Sequence, residues 1–456
     1  MRYAVAGGGI AGLAAAWELT GSDPAAEVVV YEPGRLGGKI HTPDFEGRPV
    51  DAGPDAFLTR VPEAVQLCAE LGLADELLAP AAGSSMVWWG QRLRPLPAGL
   101  VLGVPGKVSA IVRSGILSPL GAARAGLDLV LPRTDIAEDV SVYDLVARRF
   151  GKEVALRLVD PLVGGIHAGR ADELSAAATV PQLLAAARKS RSLLLALRGT
   201  SPSGATGPIF LTPRDGLGRM VAVLVERLVE RGVAFRDVAV RYVRPAPGGG
   251  VTLDGGERYD GAVVAAPAPA AAGIVEGMAP DASAGLRLVD YASVALVTMS
   301  FAASSVPAPE GVNGFLVPRS AGRLMTACSF ASNKWPHWSE PGTSVVRLSA
   351  GRFRDHRALD LDDETLVDRL AGELGAALGR SLPEPTSTRV ARWPAAFPQY
   401  TVGHLERVAS IETSLRAASP AVALAGSSYR GSGIPACIGS GRRAARAVIA
   451  AGVPAT

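Results

Sequence analysis

Gly7, Gly9 and Gly12 stand at G-x-G-x-x-G spacing in the run GGGIAG, directly after the strand-like RYAVA and before the helix-like LAAAWEL. Glycines so placed seat a dinucleotide. Gly7 permits a tight turn, Gly9 leaves room for a pyrophosphate, and Gly12 lets the following helix pack close to the strand. Gly8, Ile10 and Ala11 complete the turn, and the helix N-terminus offers N–H groups and a positive dipole end to the phosphates. Glu32, twenty positions beyond Gly12 and followed by Pro33, closes the next apolar run, EVVVY. A carboxylate there accepts hydrogen bonds from ribose hydroxyls. A structural glycine turn could carry the same three residues; the strand, the helix and Glu32 together favour the dinucleotide.

The residues that follow favour FAD over NAD. A second glycine pair, Gly37 and Gly38, lies between Arg35 and Lys39 in EPGRLGGKI. A nicotinamide site needs no such loop, whereas a longer cofactor running on toward a second domain does. In DAGPDAF, Gly53 and Pro54 form a turn with little side chain that can pass close to a flat ring, with Ala56 behind it. Asp55 there reads equally as a turn cap. Near the other end, YRGSGIPACIGSGRRAARAVI places a glycine loop ahead of a helix, whose N-terminus suits the anionic N1–C2=O edge of reduced flavin. Cys437 lies in this loop and reads as a small buried thiol rather than a covalent flavin link.

Other chemistries find little support. Five histidines (41, 167, 337, 356 and 404) form no HxH or HExxH pattern, and three cysteines (68, 328 and 437) no CxxC, so no metal is expected. The scattered thiols suit a reducing cytosol. No nucleophile triad or glycosidase-type carboxylate pair stands out, and no general base is nominated. A net charge of +3 implies no nucleic-acid partner. Only five of the 46 basic residues are lysines, a bias read as genomic. The first strand begins at residue 2, which predicts no cleaved leader, and no apolar run reaches the roughly 18 residues of a spanning helix.

At 456 residues the chain should form two or three domains. Strand–glycine loop–helix units at both ends predict an α/β fold with a discontinuous Rossmann-like FAD-binding domain, assigned to 1–58, 206–266 and 389–456. A strand-rich α+β substrate domain is expected over 59–92 and 267–388, with a helix near 362–379, and a mostly helical domain over 93–205. The loop RGTSPSGATGPIF reads as a boundary.

With GGGIAGLAAAWEL, EPGRLGGKI and VDAGPDAFLTR assembled, the chain resembles the flavin amine oxidase superfamily. LVGGIHAGRADELSAAATVPQL, TACSFASNKWPHW, TRVARWPAAFPQYTVGHLERV and YRGSGIPACI further resemble its porphyrinogen oxidases, above all the soluble bacterial type that acts on coproporphyrinogen III. The resemblance implies non-covalent FAD contacted by Gly7 to Gly12, Glu32, Pro33, Lys39 and Gly53 to Ala56. It adds Val238 at the adenine end, and Trp393, Ile434, Pro435 and Ala436 near the flavin. It places Arg60 at the active-site entrance, although the usual next basic residue is Val61 here. Ile166 matches an apolar position over the flavin, and His167 stands where a tyrosine is usual. The implied reaction is an oxygen-linked, six-electron oxidation of coproporphyrinogen III to coproporphyrin III in haem synthesis. It would run as three rounds of hydride transfer to flavin N5, with hydrogen peroxide released. Protoporphyrinogen IX oxidation, amine oxidation, a carotenoid-type desaturation and a porphyrin-carrying flavoprotein stay open. A cytoplasmic location is implied, with room for contact at a membrane surface and with a following enzyme of the haem pathway.

Overall fold

The structure, a computed structural model, describes residues 1–97, 99–105, 108–133, 135–198, 207–306 and 308–452. Most of the boundary loop expected from the sequence lies outside them. The chain divides into two compact units, the first of residues 1–79, 208–290 and 405–456, the second of 80–207 and 291–404. Residues 59–79 and 267–290 thus fold with the first unit and 389–404 with the second, whereas the sequence boundaries had placed them the other way.

The first unit is built on a parallel five-stranded sheet. Its strands are β1 (Arg2–Ala6), β2 (Glu27–Tyr31), β3 (Ala234–Arg236), β4 (Gly261–Val264) and β5 (Val422–Leu424), in the order β3-β2-β1-β4-β5. β1 runs in register with β2 from Arg2 opposite Glu27 to Ala6 opposite Tyr31, and with β4 from Tyr3 opposite Gly261. Ala4, Val5, Val29, Val30 and Val263 are all at or near zero exposure, as strands covered on both faces must be. Three helices supply much of that cover: α1 (Ile10–Ser22), α2 (Leu217–Glu230) and α3 (Ile434–Gly452). The core joins Leu13, Ala14 and Leu19 of α1 to Met220 and Leu224 of α2 and to Ile438, Ala445 and Val448 of α3. The two ends of the chain therefore meet in one core. Two short helices, Ala268–Val275 and Pro280–Arg287, also belong to this unit, where the sequence had suggested strands.

The second unit has two principal cores. One lies on a seven-stranded sheet whose strands run, edge to edge, Ser387–Pro398, Tyr291–Ala302, Thr343–Ala350, Met325–Phe330, Val312–Leu316, Ser84–Trp89 and Arg92–Pro95. The helix Asp363–Leu378 packs on it through Leu366, Leu370 and Leu374. Asp362 caps that helix by accepting from the Thr365 N–H. The other core is helical, with Leu145, Val146, Phe150, Leu158, Leu183 and Leu194 at its centre. Ser84–Trp89 is a strand within the span expected to be strand-rich, and Arg92–Pro95 is a strand that runs into the span expected to be mostly helical. SSMVWW pairs in parallel with Val312–Leu316, more than two hundred residues away, and antiparallel with neighbouring Arg92–Pro95.

Candidate functional site

In the first unit, β1 ends at Ala6 and the chain turns at Gly7, whose φ of +115° suits glycine. The Gly7 N–H donates to the Tyr31 carbonyl at 2.8 Å, tying the turn to the end of β2. A Cβ at Gly7 would lie 2.7 Å from the Ala265 carbonyl oxygen, and one at Gly12 only 1.8 Å from the Gly7 carbonyl oxygen. Both glycines are required by the protein's own packing. Gly9 differs, because a Cβ there would meet nothing within 4 Å. Gly9 also precedes α1 with no side-chain cap, and the first turn of α1 holds no acidic residue. The helix thus presents uncapped N–H donors beside open space, which fits a dinucleotide pyrophosphate.

Glu32 follows β2 and shapes the same loop. Its Oε2 accepts from the Gly8 N–H at 2.7 Å, its Oε1 accepts from the Gly34 N–H at 3.0 Å, and its own N–H donates to the Arg236 carbonyl. The carboxylate is therefore held in place and retains lone pairs for ribose hydroxyls. Pro33 is exposed beside it. Val238, half exposed, donates its N–H to the Arg236 carbonyl as well, so the end of β3 and the Glu32 loop share one edge of the sheet.

The second glycine loop lies against the first. The Gly37 N–H donates to the Gly8 carbonyl at 2.8 Å, and a Cβ at Gly38 would approach the Gly9 Cα to 3.3 Å. Arg35 donates to the Gly38 and Ile40 carbonyls, so it braces the loop. Lys39 is held below the ordinary lysine range by burial, partly offset by nearby Cys437. Lys39 and the start of α3 are thereby brought together. Burial pushes the Cys437 thiol up to about 12, so it is not a ready nucleophile. The α3 turn holding Ile434, Pro435 and Ala436 follows Gly431, where a Cβ would meet that of Ala436 at 2.7 Å. Gly441 lets α3 approach α1, since a Cβ there would lie 2.0 Å from the Ala11 carbonyl oxygen.

Gly53, Pro54, Asp55 and Ala56 follow a fully buried residue that sequence reasoning missed. Asp51 accepts from the Leu217 N–H at 3.1 Å and from the Thr42 hydroxyl, and Thr42 accepts from the Gly218 N–H at 2.8 Å. Together they cap α2, whose own N-cap, Gly216, has no side chain to do so. An acidic residue followed a few positions later by Gly-Pro gave no sign of a cap on a helix 166 residues away. Arg60 is exposed just beyond the strand Phe57–Leu58, which pairs with Phe210–Pro213.

Ile166, His167 and Trp393 belong to the second unit. Ala155–Gly164 is a π-helix containing Pro161, a form that often marks functional segments. It leads into Ile166, 59% exposed, then His167, then Ala168 in the left-handed region at φ +47°. The turn is braced from several sides. The Gln399 amide donates to the His167 carbonyl at 3.0 Å, Arg319 donates to the Gly169 carbonyl at 3.3 Å, and the Phe353 N–H donates to the Ala168 carbonyl at 2.7 Å. Asp160, its carboxyl raised by burial, accepts from the Ala171 N–H. Burial holds the His167 imidazole down at about 4, so it is neutral at neutral pH. Its ring lies 6.2 Å from that of Tyr400, which stacks on buried His404 at 4.1 Å. Trp393 stands opposite Val294 on the strand Ser387–Pro398, at a register shift, and packs with Ala168, Val294 and Phe353. Bulges of this kind re-aim side chains.

Among the described residues no group of His, Cys, Asp and Glu is arranged to hold a metal ion, and no helix is long and apolar enough to cross a membrane. Residues 10–449 match the family described as flavin containing amine oxidoreductase. The chain is similar to a coproporphyrinogen III oxidase of Bacillus subtilis, 34% identical over 459 residues and covering 96% of each chain. It is also similar to one of Mycobacterium bovis, 36% identical over 457 residues, covering 98% of this chain and 97% of that one. A solved structure from an Exiguobacterium species matches with a TM-score of 0.86 at 30% identity, covering 98% of both chains.

Proposed function

This chain belongs to the flavin-containing amine oxidoreductase family, and from that premise we propose that it oxidises coproporphyrinogen III to coproporphyrin III, with FAD as cofactor and oxygen as final acceptor. The observation that carries this reading is the near-complete coverage of two coproporphyrinogen III oxidases by a chain that also forms the dinucleotide cradle. Bound FAD supplies a two-electron sink, and removal of six hydrogens from the tetrapyrrole uses it three times per molecule.

The chain's own residues bind and orient. The uncapped N–H groups after Gly9 take the pyrophosphate, with Gly7 to Gly12 shaping the turn. Glu32 and Pro33 flank the ribose, and Val238 lies at the adenine end. Lys39, Gly53 to Ala56 and the α3 turn Ile434-Pro435-Ala436 serve the far part of the cofactor. The high pKa of Cys437 supports non-covalent attachment. From the resemblance we assign Trp393 to the flavin, Ile166 and neutral His167 to the macrocycle, and Arg60 to a propionate, which a guanidinium takes as a charged fork. A cytoplasmic enzyme fits this account, handing porphyrin to the next enzyme of haem synthesis. Exposed Val112, Leu120, Leu127 and Val130 on neighbouring helical segments support peripheral contact with a membrane.

Purified holoprotein should turn over an excess of coproporphyrinogen III to fluorescent porphyrin continuously only in the presence of oxygen, with peroxide formed alongside. Its kcat/KM should exceed that for protoporphyrinogen IX. Turnover of amines with no porphyrin formed would overturn the proposal.

A further inference from the structure

A pocket of about 340 Å³ opens in the second unit between the turn at Gly322 and the outer side of the helix Asp363–Leu378. No residue assigned above to cofactor or substrate lines it. Arg369, Gly372, Glu373 and Ala376 form its helical wall, at a spacing that puts them on one face. The small side chains at 372 and 376 leave the space, and a Cβ at Gly372 would meet nothing within 4 Å.

The charges in this pocket are unequally committed. Arg357 is forked by Asp355, with two contacts of 2.8 Å, and also donates to the Gly322 and Arg323 carbonyls. Glu373 is consumed by two backbone donors, the N–H groups of Leu324 and Met325, at 3.0 and 2.8 Å. Both local carboxylates are therefore engaged, and one guanidinium with them. Two remain. Arg323 has its guanidinium carbon 4.3 Å from the centre of the Trp88 ring and pairs with no carboxylate among the described residues. Arg369 makes no hydrogen bond or ion pair with any described residue.

A cavity bounded by two guanidinium groups that form no ion pair with any described carboxylate, against the one lining carboxylate of Glu373, has the chemistry of an oxyanion receptor. Its volume is in the range of small-molecule sites rather than that of a single bound ion. We propose that this pocket binds a small organic anion through its carboxylate or phosphate groups, with Arg369 and Arg323 as the recognising residues. Trp88 fixes Arg323, and the Asp355–Arg357 pair fixes the rim, so the receptor is largely formed before the ligand arrives.

The test uses FAD-loaded protein, whose own pyrophosphate site is then filled. Citrate and inorganic pyrophosphate are titrated separately by calorimetry at constant ionic strength, against chloride. Saturable one-site binding of either probe is expected; citrate alone would assign a carboxylate ligand and pyrophosphate alone a phosphate. Arg369→Gln and Arg323→Gln should each weaken it by about tenfold or more, the loss expected for a charge-assisted contact. Arg369 is exposed, so its variant should melt as the wild type does. Binding indistinguishable from chloride, or equal in wild type and Arg369→Gln, would overturn the proposal.

Discussion

Gly9 and Gly12 belong to one motif but serve different masters. A methyl group at Gly12 would lie 1.8 Å from a backbone oxygen, whereas one at Gly9 would enter open space. Gly12→Ala should therefore destabilise the polypeptide by about 3 kcal/mol or more, as overpacking does. Gly9→Ala should leave the melting of the apoprotein unchanged while strongly reducing FAD retained through gel filtration. Equal loss of stability in both would refute the assignment of the space at Gly9 to the cofactor. His167 makes a separate prediction. Its folded pKa of about 4 lies below the ordinary 6.5, so the unfolded chain takes up the proton first as pH falls. The stability associated with neutral His167 is complete above about pH 6.5 and lost progressively toward pH 4. Urea unfolding across that window should show a shallower acid-side loss in His167→Phe than in wild type, and parallel curves would contradict the burial argument.

Among the elements, the approach of α3 to α1 bears most of the fold's consequence. Gly441→Val would place its branched side chain against the Ala11 carbonyl oxygen, where even a Cβ comes within 2.0 Å. The variant should lose about 3 kcal/mol or more and release FAD at a lower temperature than wild type, followed by flavin fluorescence during melting. Unchanged release would mean that α3 does not hold the cradle. Elements whose pattern is self-contained were legible in the sequence. α1, β2 and the helix Asp363–Leu378 carry their own periodicity, punctuation or cap. The place of Ser84–Trp89 in the seven-stranded sheet was not legible, because the strand that joins it to that sheet lies far along the chain. Ala268–Val275 and Pro280–Arg287 were missed for a related reason, since Ala- and Gly-rich runs between strands give weak periodicity of either kind.

At the scale of the molecule, the chain is divided so that its two ends and a middle segment make one unit and the intervening pieces make the other. The glycine turn and its acidic partner could be read early because they are compressed into a few neighbouring residues, Gly7 to Gly12 with Glu32. Their supports could not. Asp51 and Thr42 cap a helix that lies far away in sequence, and Arg319 braces the Ile166–His167 turn from 150 residues beyond it. Long-range hydrogen bonds leave no local pattern. Everything proposed for this chain rests on the cradle holding FAD and on that FAD oxidising a porphyrinogen. Anaerobic titration of the purified holoprotein with coproporphyrinogen III, followed by the flavin's visible absorbance, tests it most directly. The expected result is bleaching with one coproporphyrin formed for every three flavins reduced, and recovery of the oxidised spectrum on admitting oxygen. A flavin that stays oxidised under excess coproporphyrinogen III, or a protein that cannot be loaded with FAD, would contradict it.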